Sequence, residues 1–262
     1  MLRLETDCAI IDAHHSQHIA TIIINNQARH NIMTRAAWEA IPPLMSKIAQ
    51  LPDIRLVLIR GAGDKAFIAG ADISEFDDAF SGPSGMGYDT ATVNAFEAVS
   101  ACPFPTIAAI RGYCIGGGLG LALACDIRLA SDDSTFGIPA GRLGLAYPTQ
   151  AIHRLSSIVG SATAKDIVFS AERFNATSAI EKRLINRIFP IAEFEEKLAQ
   201  YCEQLCSNAP LSLQAAKFSI DQGPMGDLEA MYHFALNCLS SEDYAEGRTA
   251  FKEKRLPIFK GK

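Results

Sequence analysis

No basic stripe, no C-x-x-C pair and no long apolar run occurs in this chain of 262 residues. Each absence removes a class of function. Lys and Arg number 24 against 29 Asp and Glu, for a net charge of −5, so nothing suggests a nucleic-acid partner. The longest apolar runs are broken by Gly, Pro or a charge well before the roughly 18 residues that a membrane span needs. The start, MLRLETDCAI, carries Glu5 and Asp7 where a signal or transit peptide would carry basic and apolar residues. Seven cysteines are an odd number, and with no paired spacing they read as reduced core residues of a cytoplasmic protein. His14, His15 and His18 read as a hairpin turn, because no acid or thiol stands at ligand spacing beside them, so no metal is expected. P-loop, H-E-x-x-H and EF-hand patterns are absent. Residues 61–66, GAGDKA, match a relaxed dinucleotide fingerprint, but FIAG follows where a helix would have to open, so the glycines read as a plain turn.

What is present is a large apolar fraction, 48%, with 20% charged residues, ample for a buried core. CAIIDA and HIATIIIN read as paired strands. TRAAWEAIPPLMSKIAQL reads as a helix capped by Thr34 and kinked at Pro42-Pro43. IRLVLIRG, AFIAG, PTIAAIRG and DIRLAS read as strands, with helices over residues 88–101 and after the glycines at 116–118. Alternating strands and helices argue for an α/β arrangement. Beyond residue 161 or so the spacing is almost wholly helical.

The stretch CIGGGLGLALACDIRLA, residues 114–130, sets glycines directly before an apolar helix. Glycine costs roughly 1 kcal/mol relative to alanine inside a helix, so three together need a reason. One reading is tight helix–strand packing. The other is an exposed helix start whose unpaired amides bind an anion, or an oxygen that becomes one during reaction. KAFIAGADISEF, residues 65–76, forms a second small-residue corner at a strand end, and two such corners can each give one amide to a single carbonyl oxygen.

AFIAGADISEF, IRGYCIGGGLGLALACDIRLAS, FGIPAGRLGLAYP and the ending EGRTAFKEKRLPIFKGK together resemble the enoyl-CoA hydratase/isomerase (crotonase) family. The resemblance implies an α/β, crotonase-like spiral of ββα units over residues 1–200, with a C-terminal helical trimerisation region over residues 201–262 that packs on the core or on a neighbouring subunit. It implies acyl-CoA substrates, with coenzyme A part of the substrate and no separate cofactor, and a homotrimer or dimer of trimers. The thioester oxygen would lie between the Ala71 and Gly117 N–H groups. Substrate contacts would fall on Arg29, Ala69, Ala71, Asp72, Ile73, Ser74 and Gly117, with Phe259 and Lys260 reaching a neighbouring subunit's ligand. Ser74 stands where the family often has Lys.

The resemblance also locates a departure. The family's two hydration glutamates would fall at Gly120 and Ala140, neither of which moves a proton. Near the pocket this leaves Arg142, Tyr147, His153 and the Asp77-Asp78 loop. LG-x-x-Y at residues 143–147 is similar to a segment of the family's decarboxylases, which opens a lyase reading through Tyr147 or Arg142. A non-catalytic acyl-CoA-binding member is the other alternative. Asp72 and Asp126 read as structural: one fixes the first corner, the other caps or pairs.

Overall fold

The computed structural model describes residues 2–75 and 87–262; Asp77 and Asp78 lie outside the described residues. The chain opens with strands β1 (Leu2–Leu4), β2 (Ile11–Ser16) and β3 (Ile19–Ile24), then helix α1 (Arg35–Ala49). The Thr34 side chain accepts from the Ala37 N–H at 3.2 Å, and α1 runs unbroken through Pro42 and Pro43.

Three similar turns of chain follow. The first has β4 (Leu56–Gly61), β5 (Ala66–Ile68) and α2 (Gly87–Ser100). The second has β6 (Thr106–Ile110), β7 (Tyr113–Ile115) and α3 (Gly117–Ala124). The third has β8 (Ile127–Ser131), β9 (Thr135–Gly137) and α4 (Thr149–Val159). In each turn the first strand joins a seven-stranded sheet, order β1-β2-β3-β4-β6-β8-β11, and the second joins a four-stranded sheet, order β10-β9-β7-β5. This is the α/β spiral of ββα units that the sequence resemblance implies. After α4 come α5 (Ser161–Ser170), β10 (Phe174–Asn175), α6 (Ala176–Glu181) and β11 (Arg187–Phe189). The last four helices are α7 (Phe194–Cys206), α8 (Pro210–Gln222), α9 (Leu228–Leu239) and α10 (Glu242–Glu253).

The large sheet is parallel from β3 to β11 and buried on both faces, which is why its central strands are continuous apolar runs. Period-two alternation splits their side chains. Leu56, Leu58, Ile107 and Ala109 pack on Phe194, Leu198 and Cys202 of α7, while Val57, Ile59, Ala108 and Ile110 face the main core. That core holds the fully buried Trp38, Phe67, Phe96 and Phe136, each worth roughly 1.5–3 kcal/mol of burial. β11 departs from the helical reading of residues beyond 161: Arg187–Phe189 pairs in parallel with β8. Asp126 has the structural role expected of it, since its carboxylate accepts from the Thr106 N–H at 2.7 Å, the Thr106 hydroxyl at 3.0 Å and the Lys217 ammonium at 2.7 Å. Among the described residues no helix is long and apolar enough to cross a membrane, and no group of three His, Cys, Asp or Glu is placed to hold a metal ion.

Candidate functional site

Parallel pairing of β5 with β7 brings the ends of both strands, and so both small-residue corners, to one edge of the small sheet. At the first corner the Met33 N–H donates to the Gly70 carbonyl at 2.9 Å, and the Asp72 N–H donates to the Met33 carbonyl at 2.8 Å. These bonds flank Ala71 and leave its own N–H without a partner among the described residues. At the second corner the Gly116 N–H donates to Gly137 and the Gly120 N–H donates to Gly116. Gly117 is the first residue of α3, so its N–H has no intrahelical acceptor.

The glycines serve both readings, each at a different position. Gly116 takes φ +53°, a left-handed value that glycine adopts at no steric cost. A Cβ there would stand 4.0 Å from the Gly70 Cα, so the two corners abut. Gly118 serves packing instead, because a Cβ there would run into the Ile68 carbonyl oxygen.

Asp72 secures the first corner. It is 4% exposed and takes a two-pronged ion pair from Arg29, at 2.5 and 2.9 Å. It also accepts from the Ser74 hydroxyl at 2.7 Å and the Ser74 N–H at 3.2 Å. The hydrogen bonds from Arg29 and then Ser74 pull its carboxyl down to about 2. Arg29 and Ser74, expected to meet substrate, thus spend polar groups on holding Asp72.

Both corners open on one cavity of about 150 Å³. That is below the roughly 300–1,000 Å³ of a pocket that encloses a drug-sized ligand, and it suits the reacting end of a longer molecule. Ala69, Ala71, Ile73 and Gly117 line it, as do Ala140 and Tyr147. Arg142 does not; it sits exposed on the short helical turn Pro139–Leu143. His153 is exposed on α4.

The Tyr147 hydroxyl donates to the Gly116 carbonyl at 2.8 Å, and burial pushes the phenol above its ordinary value, so its proton is committed to the second corner. Gly120 lies behind the cavity wall. A Cβ there would come 2.5 Å from the Phe96 ring and 2.8 Å from the Tyr147 oxygen. The space for a side chain at residue 120 is filled by these two aromatics. Nearby thiols are inert: burial raises Cys114 well above its usual value and pushes Cys125 up to about 12.

The sequence reading passed over one wall altogether. Asp89, Thr92 and Phe96 of α2 all line the cavity. Their spacing of i, i+3 and i+7 marks one helix face, a pattern present in DTATVNAF but unremarked beside the glycine corners.

The family model described as enoyl-CoA hydratase/isomerase matches residues 14–262. The chain is 30% identical to the short-chain-enoyl-CoA hydratase of Clostridium acetobutylicum, over 90% of this chain and 92% of that protein. It is 33% identical to the carnitinyl-CoA dehydratase of Escherichia coli, over 80% of this chain and 83% of that one. The crystal structure of an enoyl-CoA hydratase/carnithine racemase from Magnetospirillum magneticum superposes with a TM-score of 0.93 at 33% identity, covering 98% of this chain and 97% of that chain.

Proposed function

The chain belongs to the enoyl-CoA hydratase/isomerase family, and from that premise we propose that it binds an acyl-CoA thioester with the thioester oxygen between the Ala71 and Gly117 N–H groups. The observation that carries this reading is that two amides without partners among the described residues face one cavity from abutting corners. Fixed donors of this kind stabilise the charge that develops on a thioester oxygen when the neighbouring carbon loses a proton. The reaction is therefore one that passes through a thioester enolate. Two-carboxylate hydration is not part of the proposal, because Gly120 and Ala140 supply no acid and Phe96 and Tyr147 occupy the space beside Gly120. A lyase built on Tyr147 or Arg142 draws no support, since the first side chain is hydrogen-bonded to Gly116 and the second lies outside the cavity.

Isothermal calorimetry tests the binding. Acetyl-CoA or crotonyl-CoA should bind at micromolar concentration, and no binding of any acyl-CoA overturns the reading. Crotonyl-CoA hydration should fall far below that of a two-carboxylate enzyme, by about 10²–10⁴ for each absent group. A trimer or dimer of trimers belongs to the same proposal. Phe251 and Leu256 are 86% and 87% exposed in the single chain, and Phe251 lines an apolar groove with Tyr244 and Phe259. Light scattering gives the assembled mass.

A further inference from the structure

We propose that Asp89 is the residue that moves protons in this cavity, with Thr92, one turn further in, holding an oxygen carried by the substrate's acyl chain. The proposal rests on the acyl-thioester reading above and supplies the acid–base group that Gly120 and Ala140 cannot.

Among the described residues that line the cavity, Asp89 is the one carboxylate, and none is His, Cys, Lys or Arg. The helix sets the order of depth. Asp89 is exposed at the mouth, Thr92 is 6% exposed and Phe96 is 1% exposed at the floor. Asp72 and Asp126 are each held by several hydrogen bonds. Asp89 makes no hydrogen bond or ion pair with any described residue, so its oxygens are open to a ligand. The Thr92 hydroxyl is the independent observation. Its oxygen is buried and has no hydrogen-bond partner, and the residue that carries it lines the cavity. Buried polar atoms are rarely left unmatched, and a turn of the Thr92 side chain toward the cavity would let a ligand oxygen complete this one.

The step balances without a co-reactant. The Asp89 carboxylate takes a proton from the carbon beside the thioester carbonyl. The C–H electron pair becomes the double bond of the enolate, and the charge moves to the thioester oxygen at Ala71 and Gly117. The neutral carboxyl then returns the proton, either to the same carbon or, in a β,γ-unsaturated chain, to the γ-carbon as the double bond shifts. Partial desolvation at the cavity mouth lifts the Asp89 carboxyl above its ordinary value, which makes its carboxylate the stronger base.

The test uses the whole chain in D2O with butyryl-CoA and 3-hydroxybutyryl-CoA, following deuterium uptake at the α-carbon by NMR and affinity by calorimetry. The wild type should exchange. Asp89→Asn should lose at least about 100-fold in exchange rate with affinity changed little, and Asp89→Glu should keep part of the rate. Thr92→Val should lose about five- to tenfold of the preference for the 3-hydroxy thioester, and Thr92→Ser should retain it. If the wild type binds neither thioester, the acyl-thioester reading fails. If it binds without exchange, or if Asp89→Asn exchanges as fast as the wild type, the role of Asp89 fails while that reading stands. An unchanged preference in Thr92→Val removes the role of Thr92.

Discussion

On the amide side of the cavity the side-chain polar groups have protein partners. Asp72 takes Arg29 and Ser74, and the Tyr147 hydroxyl takes the Gly116 carbonyl. On the α2 side Asp89 has no partner among the described residues, and the Thr92 oxygen is buried without one. One wall is finished by the protein; the other is left for a ligand to finish. Side-chain hydrogen bonds that close within the chain hold backbone in place. Polar groups left open at a cavity are the ones available to chemistry, and here that separates Asp89 from Asp72 and Asp126.

The largest effect that would blur this contrast comes from putting an acid on the finished wall. Gly120→Glu drives a side chain into the Phe96 ring, itself packed edge-on to Trp38 at 5.7 Å. Overpacking of this kind destabilises by about 1–3 kcal/mol, and a Phe96 ring displaced toward the cavity would also occupy the acyl site. Urea unfolding should show the lower stability, and acyl-CoA affinity should fall with it. Hydration should appear only when Phe96→Ala and Ala140→Glu are added, since the carboxylate then has room and a second acid.

Asp72→Asn sharpens the contrast through pH. The Asp72 carboxyl sits at about 2 against an ordinary 3.8, so the unfolded chain takes up this proton first as pH falls. The stability that its ion pair contributes is complete above the ordinary value and is lost as pH drops through about 2. The wild type should therefore be more stable than Asp72→Asn at neutral pH. The gap should close across that acid window in denaturation curves taken at several pH values. Arg29 is half exposed, so added salt should narrow it too.

The smallest effect is expected at Tyr147. Tyr147→Phe removes one hydrogen bond to Gly116, worth about 0.5–1.5 kcal/mol in thermal unfolding, and should leave α-proton exchange within about twofold. A large loss of exchange with little loss of stability would return Tyr147 to the chemistry.

Much of this architecture was legible in the residues. Strands of five or six mostly apolar residues, such as β4 and β6, announce themselves by composition, and the two corners by their clustered small residues. The three-residue strands β7 and β9 are too short to show a period, and β11 is buried in a helical pattern. The acid-free positions at Gly120 and Ala140 were visible, but not what fills the space. Phe96 and Tyr147 reach Gly120 from positions 24 and 27 residues away, through contacts that local pattern cannot express. Asp126 likewise finds Lys217 across 91 positions. Asp89 was overlooked for another reason: a lone acid in the first turn of a helix reads as an ordinary charge complementing the dipole, and only the cavity shows where it stands.

The seat of α3 against β5 has a consequence for how this site can change. Gly118 meets the carbonyl of Ile68 directly, and Ile68 runs straight on into Ala69 and Ala71. The gap between the two amides is thus a gauge set first by the Ile68 main chain, with the Ile68 side chain close beside it. Sequence drift can redraw the helical wall, as Asp89, Thr92 and Phe96 illustrate, while the calipers keep their setting. A new reaction on this frame comes from altering what faces the amides rather than the amides themselves.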